Sequence, residues 1–397
     1  MLDIWPELPI YIHDFGHSSN EARDDLVAAL RLNHRVSGIR LNFTSASGWE
    51  TFAPVMQQSF PALTHLWLEP FFQKPGISHS FLGGSAPSLR DLVLVGIPFP
   101  PLVELLLSAT NLVRLRYDSI PRSGYISPQE MVTGLSALTR LESLSLKFLL
   151  GDLPDRANRI PPPHTRTLFP ALTDLCFSGA PEYISDLVAQ IDAPSLEWVR
   201  ITVLVFDWEV LELLELAKFV RRADKLSLIS LPHRADVIVW FDGISIALSP
   251  ELQLGLYDPK TLILDFACLM SALRLSYLVQ FYASCLPTSS PVESLHIRGS
   301  MSYPPWQHFI DDPNPQWLEL LRPFNAVKDL RLSYDAAAHV AQALRGLRVE
   351  QVTAVLPALK NVFISGLEPS GPVREAIFKF ADKRRHSGHP VYIQDWM

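Results

Sequence analysis

The sequence is poor in cysteine and in basic charge, and each shortage excludes a class of protein. Only three cysteines occur among 397 residues, at Cys176, Cys268 and Cys285. Their wide spacing and odd number fit neither a disulfide scaffold nor a zinc site, and they predict a reducing compartment. The net charge of -7 argues against nucleic acid as the main partner, because phosphate binding requires a basic surface.

Long apolar runs and export signals are also lacking. The first six residues contain no basic region followed by an apolar stretch, so no signal peptide is predicted. The most apolar segment, residues 261–282, is interrupted by Asp265 and Arg274, whereas a membrane helix needs about 18 apolar residues in a row. We therefore expect an intracellular protein, cytoplasmic or nuclear, that does not bind membranes.

Catalytic signatures are missing as well. The sequence has no Gly-x-Ser-x-Gly elbow, phosphate-binding loop, His-Glu-x-x-His motif or dinucleotide fingerprint. His386 and His389 lie close together, but the preceding Lys383-Arg384-Arg385 would repel a cation and no third ligand is near in sequence. These residues are predicted to form an exposed polar tail that leads into a closing strand at residues 391–393. We predict no enzyme, no catalytic residue, no metal and no cofactor.

What the sequence does contain is a recurring phrase, Leu-x-x-Leu-x-Leu, which several times follows Pro-Ala or Pro-Ser. Clear copies occupy residues 61–68 and 87–94. The second leucine-like position of each copy falls at residues 39, 66, 92, 115, 144, 175, 199, 226, 262, 295, 330 and 362. The early intervals match the roughly 20–29 residues of a leucine-rich repeat, and the longer later intervals predict insertions in the second half.

Each copy predicts a short strand, because Leu-x-Leu alternation turns one apolar face inward. Between the strands, Ser127-Pro128-Gln129-Glu130 predicts a helix that opens with a capping box. Asn314-Pro315 predicts another helix start, and Asp335 is predicted to cap a helix through Leu344. A further helix is predicted to present one apolar face made of Val210, Leu213, Leu214, Ala217 and Val220.

The predicted fold is α/β: an irregular leucine-rich-repeat solenoid of the ribonuclease-inhibitor type. Its curved parallel sheet would carry helices and loops on the convex side. We expect one domain over residues 1–397, with an N-terminal cap at 1–35, repeats at 36–364 and a C-terminal cap at 365–397. The asparagine that usually follows each strand is mostly absent, so we expect loops and 3₁₀ turns to replace some helices.

Several phrases resemble, in their order along the chain, the large fungal (basidiomycete-type) family of F-box proteins with leucine-rich repeats. They are Trp5-Pro6-Glu7-Leu8-Pro9-Ile10, residues 135–146, Phe169-Pro170-Ala171-Leu172-Thr173, Ile191-Asp192-Ala193-Pro194-Ser195-Leu196, Trp317-Leu318-Glu319-Leu320 and Val355-Leu356-Pro357-Ala358-Leu359. Family members usually begin with an F-box that docks on the linker subunit of a cullin ubiquitin ligase, and their repeats select the substrate.

The resemblance leaves two functional alternatives open. The sequence lacks the F-box and starts at the Trp-Pro strand that would normally follow it. One alternative is the substrate-recognition part of a ligase adaptor, which would bind the cullin ligase linker if an F-box lies upstream. The other is a stand-alone scaffold or binding protein without a ligase role.

The residues between the leucines are the predicted binding site, because in a leucine-rich-repeat sheet they point to the concave face, where a protein partner usually binds. Tryptophan and arginine there are typical of binding hot spots. The candidates are His65, Trp67, Asp91, Arg114, Arg116, Lys147, Trp198, Arg200, His296, Arg298, Asp329, Arg331 and Phe363. The arginines would suit an acidic or phosphorylated peptide. Alternatively, the tryptophans pack under loops and the arginines only hydrate the sheet.

Overall fold

The computed structural model describes residues 8–14, 20–70, 77–98, 101–149, 165–205, 214–223, 233–240, 243–249, 262–268, 292–299 and 313–396. It divides into two compact units, residues 1–196 (unit 1) and 197–397 (unit 2). Both units combine helices with a mostly parallel sheet, as the predicted α/β class requires. The single domain with terminal caps stays a prediction.

Unit 1 is built on a parallel sheet whose strands follow the order of the chain. Its strands are β1 (Ile10–Asp14), β2 (Val36–Phe43), β3 (His65–Pro70), β4 (Asp91–Val95), β5 (Arg114–Ile120), β6 (Ser143–Phe148), β7 (Thr167–Leu168), β8 (Asp174–Gly179) and β9 (Ile191–Asp192). The short strands β7 and β9 pair with each other, and the rest form the main sheet.

Short helices connect most of these strands. They are α1 (Asn20–Leu30), α2 (Ala46–Phe52), α3 (Leu102–Ser108), α4 (Pro128–Leu135) and α5 (Pro181–Ala189). Single 3₁₀ turns at Val55–Gln57, Phe81–Gly84 and Arg122–Gly124 stand between others. The expectation that 3₁₀ turns replace some helices is thus confirmed in unit 1.

The predicted repeat positions lie side by side across the sheets. In unit 1, residues 39, 66, 92, 115, 144 and 175 are register partners on successive strands. In unit 2, residue 199 pairs with residue 262. Residue 330 pairs with residue 295 on one neighbouring strand and with residue 362 on the other. The predicted copy at residue 226 lies outside the described residues. The repeat phrase therefore identifies equivalent strand positions correctly.

Unit 2 contains the strands β10 (Trp198–Val205), β11 (Arg234–Val239), β12 (Gly243–Ser249), β13 (Leu262–Cys268), β14 (Ser294–Gly299), β15 (Asp329–Leu332), β16 (Asn361–Ile364) and β17 (Tyr392–Asp395). Its helices are α6 (Leu214–Arg222), α7 (Pro313–Leu321), α8 (Tyr334–Arg345) and α9 (Pro372–His386). From β14 to β17 the strands are parallel and follow chain order.

The wholly parallel sheet predicted from the sequence is wrong between β10 and β14. The strand order there is β10-β13-β12-β11-β14, and β12 is antiparallel to both of its neighbours. A parallel connection needs a crossover of about a dozen residues. Strands β11 and β12 are instead separated by only three residues of the chain, and the Trp240 N–H donates to the Gly243 carbonyl (2.8 Å). So short a connection favours an antiparallel hairpin, which lies among the long intervals where insertions were predicted.

The apolar core lies between the leucine side of the sheet and the helices. In unit 1 burial alternates along β4, β6 and residues 65–69 of β3, and the buried positions are leucines and Phe148. Tyr183 of α5 packs its ring against Phe148 of β6 and Phe177 of β8, with ring centroids 4.6 and 5.7 Å apart. The helices therefore cover the leucine side, and the residues between the leucines occupy the other side.

The predicted helix starts are partly right. Ser127 caps α4 in a complete capping box, with Glu130 bonded back to the Ser127 backbone N–H (3.0 Å). Asp335 is not the cap of α8: the Ser333 side chain accepts from the Ala336 N–H, and Asp335 lies in the first turn. Helix α7 begins at Pro313, one residue before the predicted start.

One prediction of burial is corrected by α6. Leu214 is exposed, whereas the predicted Ala217 and Val220 are buried together with Leu216 and Phe219; Val210 and Leu213 lie outside the described residues. The predicted polar tail at residues 386–389 starts at the end of α9, is exposed at His386, Gly388 and His389, and leads into β17. Arg384, in the basic run before this tail, is completely buried. Within the described part of the chain, no helix is long and apolar enough to cross a membrane.

Candidate binding site

The side of each sheet opposite the buried leucines, here called the open face, carries the predicted binding residues. In unit 1, His65, Arg114 and Arg116 are exposed, and Trp67, Asp91 and Lys147 are half-buried. In unit 2 the half-buried residues are Trp198, Arg200, Arg298, Asp329, Arg331 and Phe363. His296 is the exception: it is buried, so its predicted exposure is wrong.

A chain of charged groups crosses the start of strands β3, β4 and β5. One oxygen of the Asp91 carboxylate, Oδ2, lies 3.0 Å from His65 Nε2. The other oxygen, Oδ1, accepts a hydrogen bond from Arg114 Nε. This contact raises the pKa of Arg114, because the hydrogen bond and the charge of Asp91 favour the guanidinium cation. The three residues occupy register-paired positions, so the parallel alignment of the strands brings them together.

Asp118, at the far end of β5, is the centre of a second cluster. Its buried carboxylate accepts hydrogen bonds from Arg116 Nε (2.5 Å) and Ser145 Oγ (3.0 Å), and Lys147 Nζ lies 3.4 Å away. The strand bulges between Tyr117 and Ile120, where Ser119 has a φ of 53°. The bulge returns the Ile120 side chain to the core side. Two cations therefore surround one buried carboxylate.

Trp67 lies beside this cluster and contacts two arginines. The Arg40 guanidinium lies 4.2 Å from the Trp67 ring centroid, and the Arg116 guanidinium lies 5.9 Å from it. The indole Nε1–H donates to Glu69 Oε2 (3.1 Å). Contacts of this kind favour a fixed position for each cation over the ring face. Trp67 therefore lies on the open face, in contact with Arg40 among the described residues.

The arginines of these clusters share one hydrogen-bonding pattern. Arg114, Arg116 and Arg200 each bond a neighbouring aspartate through Nε, and the partner of Arg200 is Asp265 (3.0 Å). The arginine side chains are 66, 47 and 40% exposed, whereas the aspartates are 15, 6 and 10% exposed. None of the three donates a hydrogen bond from its Nη atoms to the residues that the structure describes. The acids lie underneath and the guanidinium tips point outward.

Unit 2 has a more deeply buried cluster around Asp236 of β11. Arg234 Nη2 donates a hydrogen bond to Asp236 Oδ1 (2.7 Å), and Arg234 Nε lies 2.7 Å from Asp236 Oδ2. His296 Nδ1 lies 3.2 Å from Asp236 Oδ1. Burial would raise the pKa of Asp236, but hydrogen bonds from His296 and Arg234 outweigh it and lower that pKa. Burial lowers the pKa of His296 despite the nearby carboxylate. Burial thus favours the neutral form of the His296 imidazole.

An aromatic and arginine surface continues along β15 to β17. The Arg331 guanidinium lies 5.3 Å from the Phe363 ring centroid and 5.5 Å from that of Trp396. Trp396 also meets His296 edge to face, with centroids 4.8 Å apart. Arg298 reaches Asp236 Oδ1 at 3.5 Å, and Asn361 Nδ2 donates to Asp329 Oδ1 (2.8 Å). The predicted residues Arg331, Phe363, Arg298 and Asp329 therefore belong to connected groups.

Three residues that organise these groups, Arg40, Asp118 and Asp236, were not among the predicted site residues. Arg40 is the register partner of Trp67, and reading the first, degenerate repeat in the same way would have found it. Asp118 lies two residues after Arg116 on the same strand. The alternation of side chains along the strand could therefore have assigned Asp118 to the same face. Asp236 lies on an unpredicted strand, and no sequence signal marked it or its contact with His296.

No arrangement suited to metal binding is found among the described residues, since no group of three histidine, cysteine or acidic side chains converges there. His386 ends α9 and its Nδ1 bonds the Asp382 carbonyl (2.7 Å). No protein-family model matches the chain, and no curated protein matches it.

Proposed function

We propose that the chain is a protein-recognition module of the leucine-rich-repeat type, which binds a partner protein on the open face of its sheet. The single observation that carries this proposal is the pairing of equivalent repeat positions on adjacent strands, with polar and aromatic side chains on the uncovered side. Such repeated strands produce an extended binding surface in solenoid proteins. Exposed arginines and a half-buried tryptophan are the residue types that dominate binding energy.

The more specific role that we propose is substrate recognition for an F-box-type ubiquitin ligase. It rests on the resemblance of the repeat phrases and their order to the fungal F-box family, since the open face itself says nothing about a ligase. The competing role, a scaffold without a ligase, uses the same face. Both roles are binding roles, and neither requires a catalytic centre.

The experiment is affinity capture from an extract of the source cells with three versions of the protein. They are wild type, a face variant (Trp67→Ala with Arg116→Gln), and a control, Leu107→Ala, altered at an exposed apolar residue of α3. Captured proteins are identified by mass spectrometry, and circular dichroism checks that each version is folded.

We expect a partner that is lost with the face variant and retained with the control. Recovery of cullin-ligase subunits together with that partner would support the adaptor role, and recovery of the partner alone would support the scaffold role. A partner that binds wild type and the face variant equally would contradict binding at this face.

A further inference from the structure

The exposed pair Arg114 and Arg116 on β5 offers more than a general binding surface. Both side chains project from the open face of unit 1 and are separated by one residue. The aspartates that orient them are less exposed than they are. A partner reaching this part of the face would therefore meet guanidinium groups before it meets carboxylates.

The hydrogen bonds leave the tips of both arginines available. Each is attached to its aspartate through Nε only, and neither Nη group donates to any described residue. A guanidinium held in this way still presents two parallel N–H donors, the geometry that matches the two oxygens of a carboxylate. The aspartates fix the orientation of the side chains, so less entropy is lost when a ligand binds.

The spacing of the pair restricts what can bind both tips together. Residues two apart on a strand lie on the same face, about 6.6 Å apart. Alternate residues of an extended peptide have the same spacing, because they follow the same backbone geometry. Two carboxylates at alternate positions of an extended peptide would therefore meet the two guanidinium tips one to one.

We propose, on the basis of the function proposed above, that this pair recognises an extended acidic segment of a partner protein with Glu or Asp at alternate positions. Lys147 supports it, because its ammonium group and Arg116 share the single carboxylate of Asp118. Trp67 flanks the site, with the Arg116 guanidinium 5.9 Å from its ring centroid and the Arg40 guanidinium 4.2 Å from it. Three cations, Arg114, Arg116 and Lys147, are therefore paired with two carboxylates, Asp91 and Asp118, and the negative charge of Glu142 also acts on Arg114.

The test measures binding of labelled peptides to the full chain by fluorescence anisotropy. The probe is a blocked glycine-based peptide with three glutamates at alternate positions. One comparison peptide has the same three glutamates adjacent, a second has glutamine in their place, and a third has phosphoserine in their place. Peptides of equal composition separate recognition of spacing from simple attraction between charges.

The variant Arg114→Gln/Arg116→Gln removes both forks while leaving an amide that can still donate to the aspartates. A control variant, Arg31→Gln/Arg345→Gln, changes the net charge equally at exposed positions after α1 and at the end of α8. Thermal unfolding of both variants checks that they are folded.

We expect the alternate-glutamate peptide to bind wild type at least about threefold more tightly than the adjacent-glutamate peptide. Exposed ion pairs are each worth up to about 1 kcal/mol, roughly a fivefold change in affinity. The double variant should therefore bind several-fold more weakly, up to about 25-fold, and the control variant should bind like wild type.

Three outcomes would overturn the inference: no preference for alternate spacing, equal loss of binding in the control variant, or binding only of the phosphoserine peptide. The last would assign the pair to phosphate instead. None of these outcomes would contradict the proposed function. That proposal fails only if the captured partner binds the face variant and wild type equally. The two ideas can therefore fail separately.

Discussion

Arg384 of α9 is predicted to be the polar residue on which the end of unit 2 depends most. Its side chain is completely buried, and its Nη1 donates to the carbonyls of Val352, Val355 and Leu356 (3.1 to 3.3 Å). Its Nη2 donates to the carbonyls of Pro357 and Leu359 (3.2 and 3.5 Å). One guanidinium therefore satisfies the backbone of the loop that leads into β16.

The cost of removing this side chain follows from those contacts. The two nitrogens carry four hydrogens, so at most four of the five contacts are full hydrogen bonds. A hydrogen bond to a charged group contributes about 1.5–3 kcal/mol, but part of the loop is exposed and its carbonyls can regain water. For Arg384→Met, which keeps the apolar stem, we expect the free energy of unfolding to fall by about 4 kcal/mol.

The assay is urea unfolding followed by tryptophan fluorescence, with hydrogen exchange of the amides between residues 352 and 360 as a local reading. Arg384→Lys should cost about half as much, since one ammonium can reach only some of the carbonyls. Arg385→Met is the matched control, because Arg385 is exposed and, among the described residues, its ion pair is a long one with Asp382 (3.5 Å). A loss below about 1 kcal/mol in Arg384→Met would refute the reasoning.

Three further predictions concern local structure. Ser127→Ala removes the capping box of α4 and should lower the free energy of unfolding by about 1 kcal/mol in urea titrations; an unchanged midpoint would count against it. Gly243→Ala places a Cβ 2.4 Å from the Phe266 carbonyl oxygen and should cost at least about 2 kcal/mol, whereas Gly346→Ala, with 3.5 Å of space, should be tolerated. Burial lowers the pKa of His296 below the ordinary value of 6.5, so the unfolded chain takes up the proton first. The free energy of unfolding should therefore decrease as the pH falls below about 6.5, and His296→Gln should reduce this decrease in urea titrations at pH 7.5 and 5.5. An equal decrease in His296→Gln would exclude His296 as its source.

Much of the open face could be predicted because it depends on local alternation. Every second residue of a strand points to the same side, so the leucine phrase by itself assigned Trp67, Arg114 and Arg116 to the face opposite the core. The capping box of α4 was equally local, because Ser127 and Glu130 are three residues apart and bond within one helical turn. These predictions needed no knowledge of which strands are neighbours.

The strand order and the buried charges required the tertiary structure. The pairing of β13 with β10, and of β12 between β13 and β11, joins segments whose order in the chain differs from their order in the sheet. The environment of His296 depends on that order, because its partner Asp236 lies on β11 and comes from 60 residues earlier in the sequence. Sequence alternation indicated that the His296 side chain lies on the open face. Only the pairing of β14 with β11 shows that this side chain is buried there.

Arg384 shows the same division between what is local and what is tertiary. The sequence places it between Lys383 and Arg385, and such a basic run is typical of a solvated surface. The helix rotates it inward, and carbonyls from the separate loop at residues 352–359 make its burial possible. Local pattern by itself determined which strand positions are equivalent and which face each residue joins. Contacts between distant segments decided which of the charged side chains are buried, because burial of a charge is stable only where the fold supplies its partners.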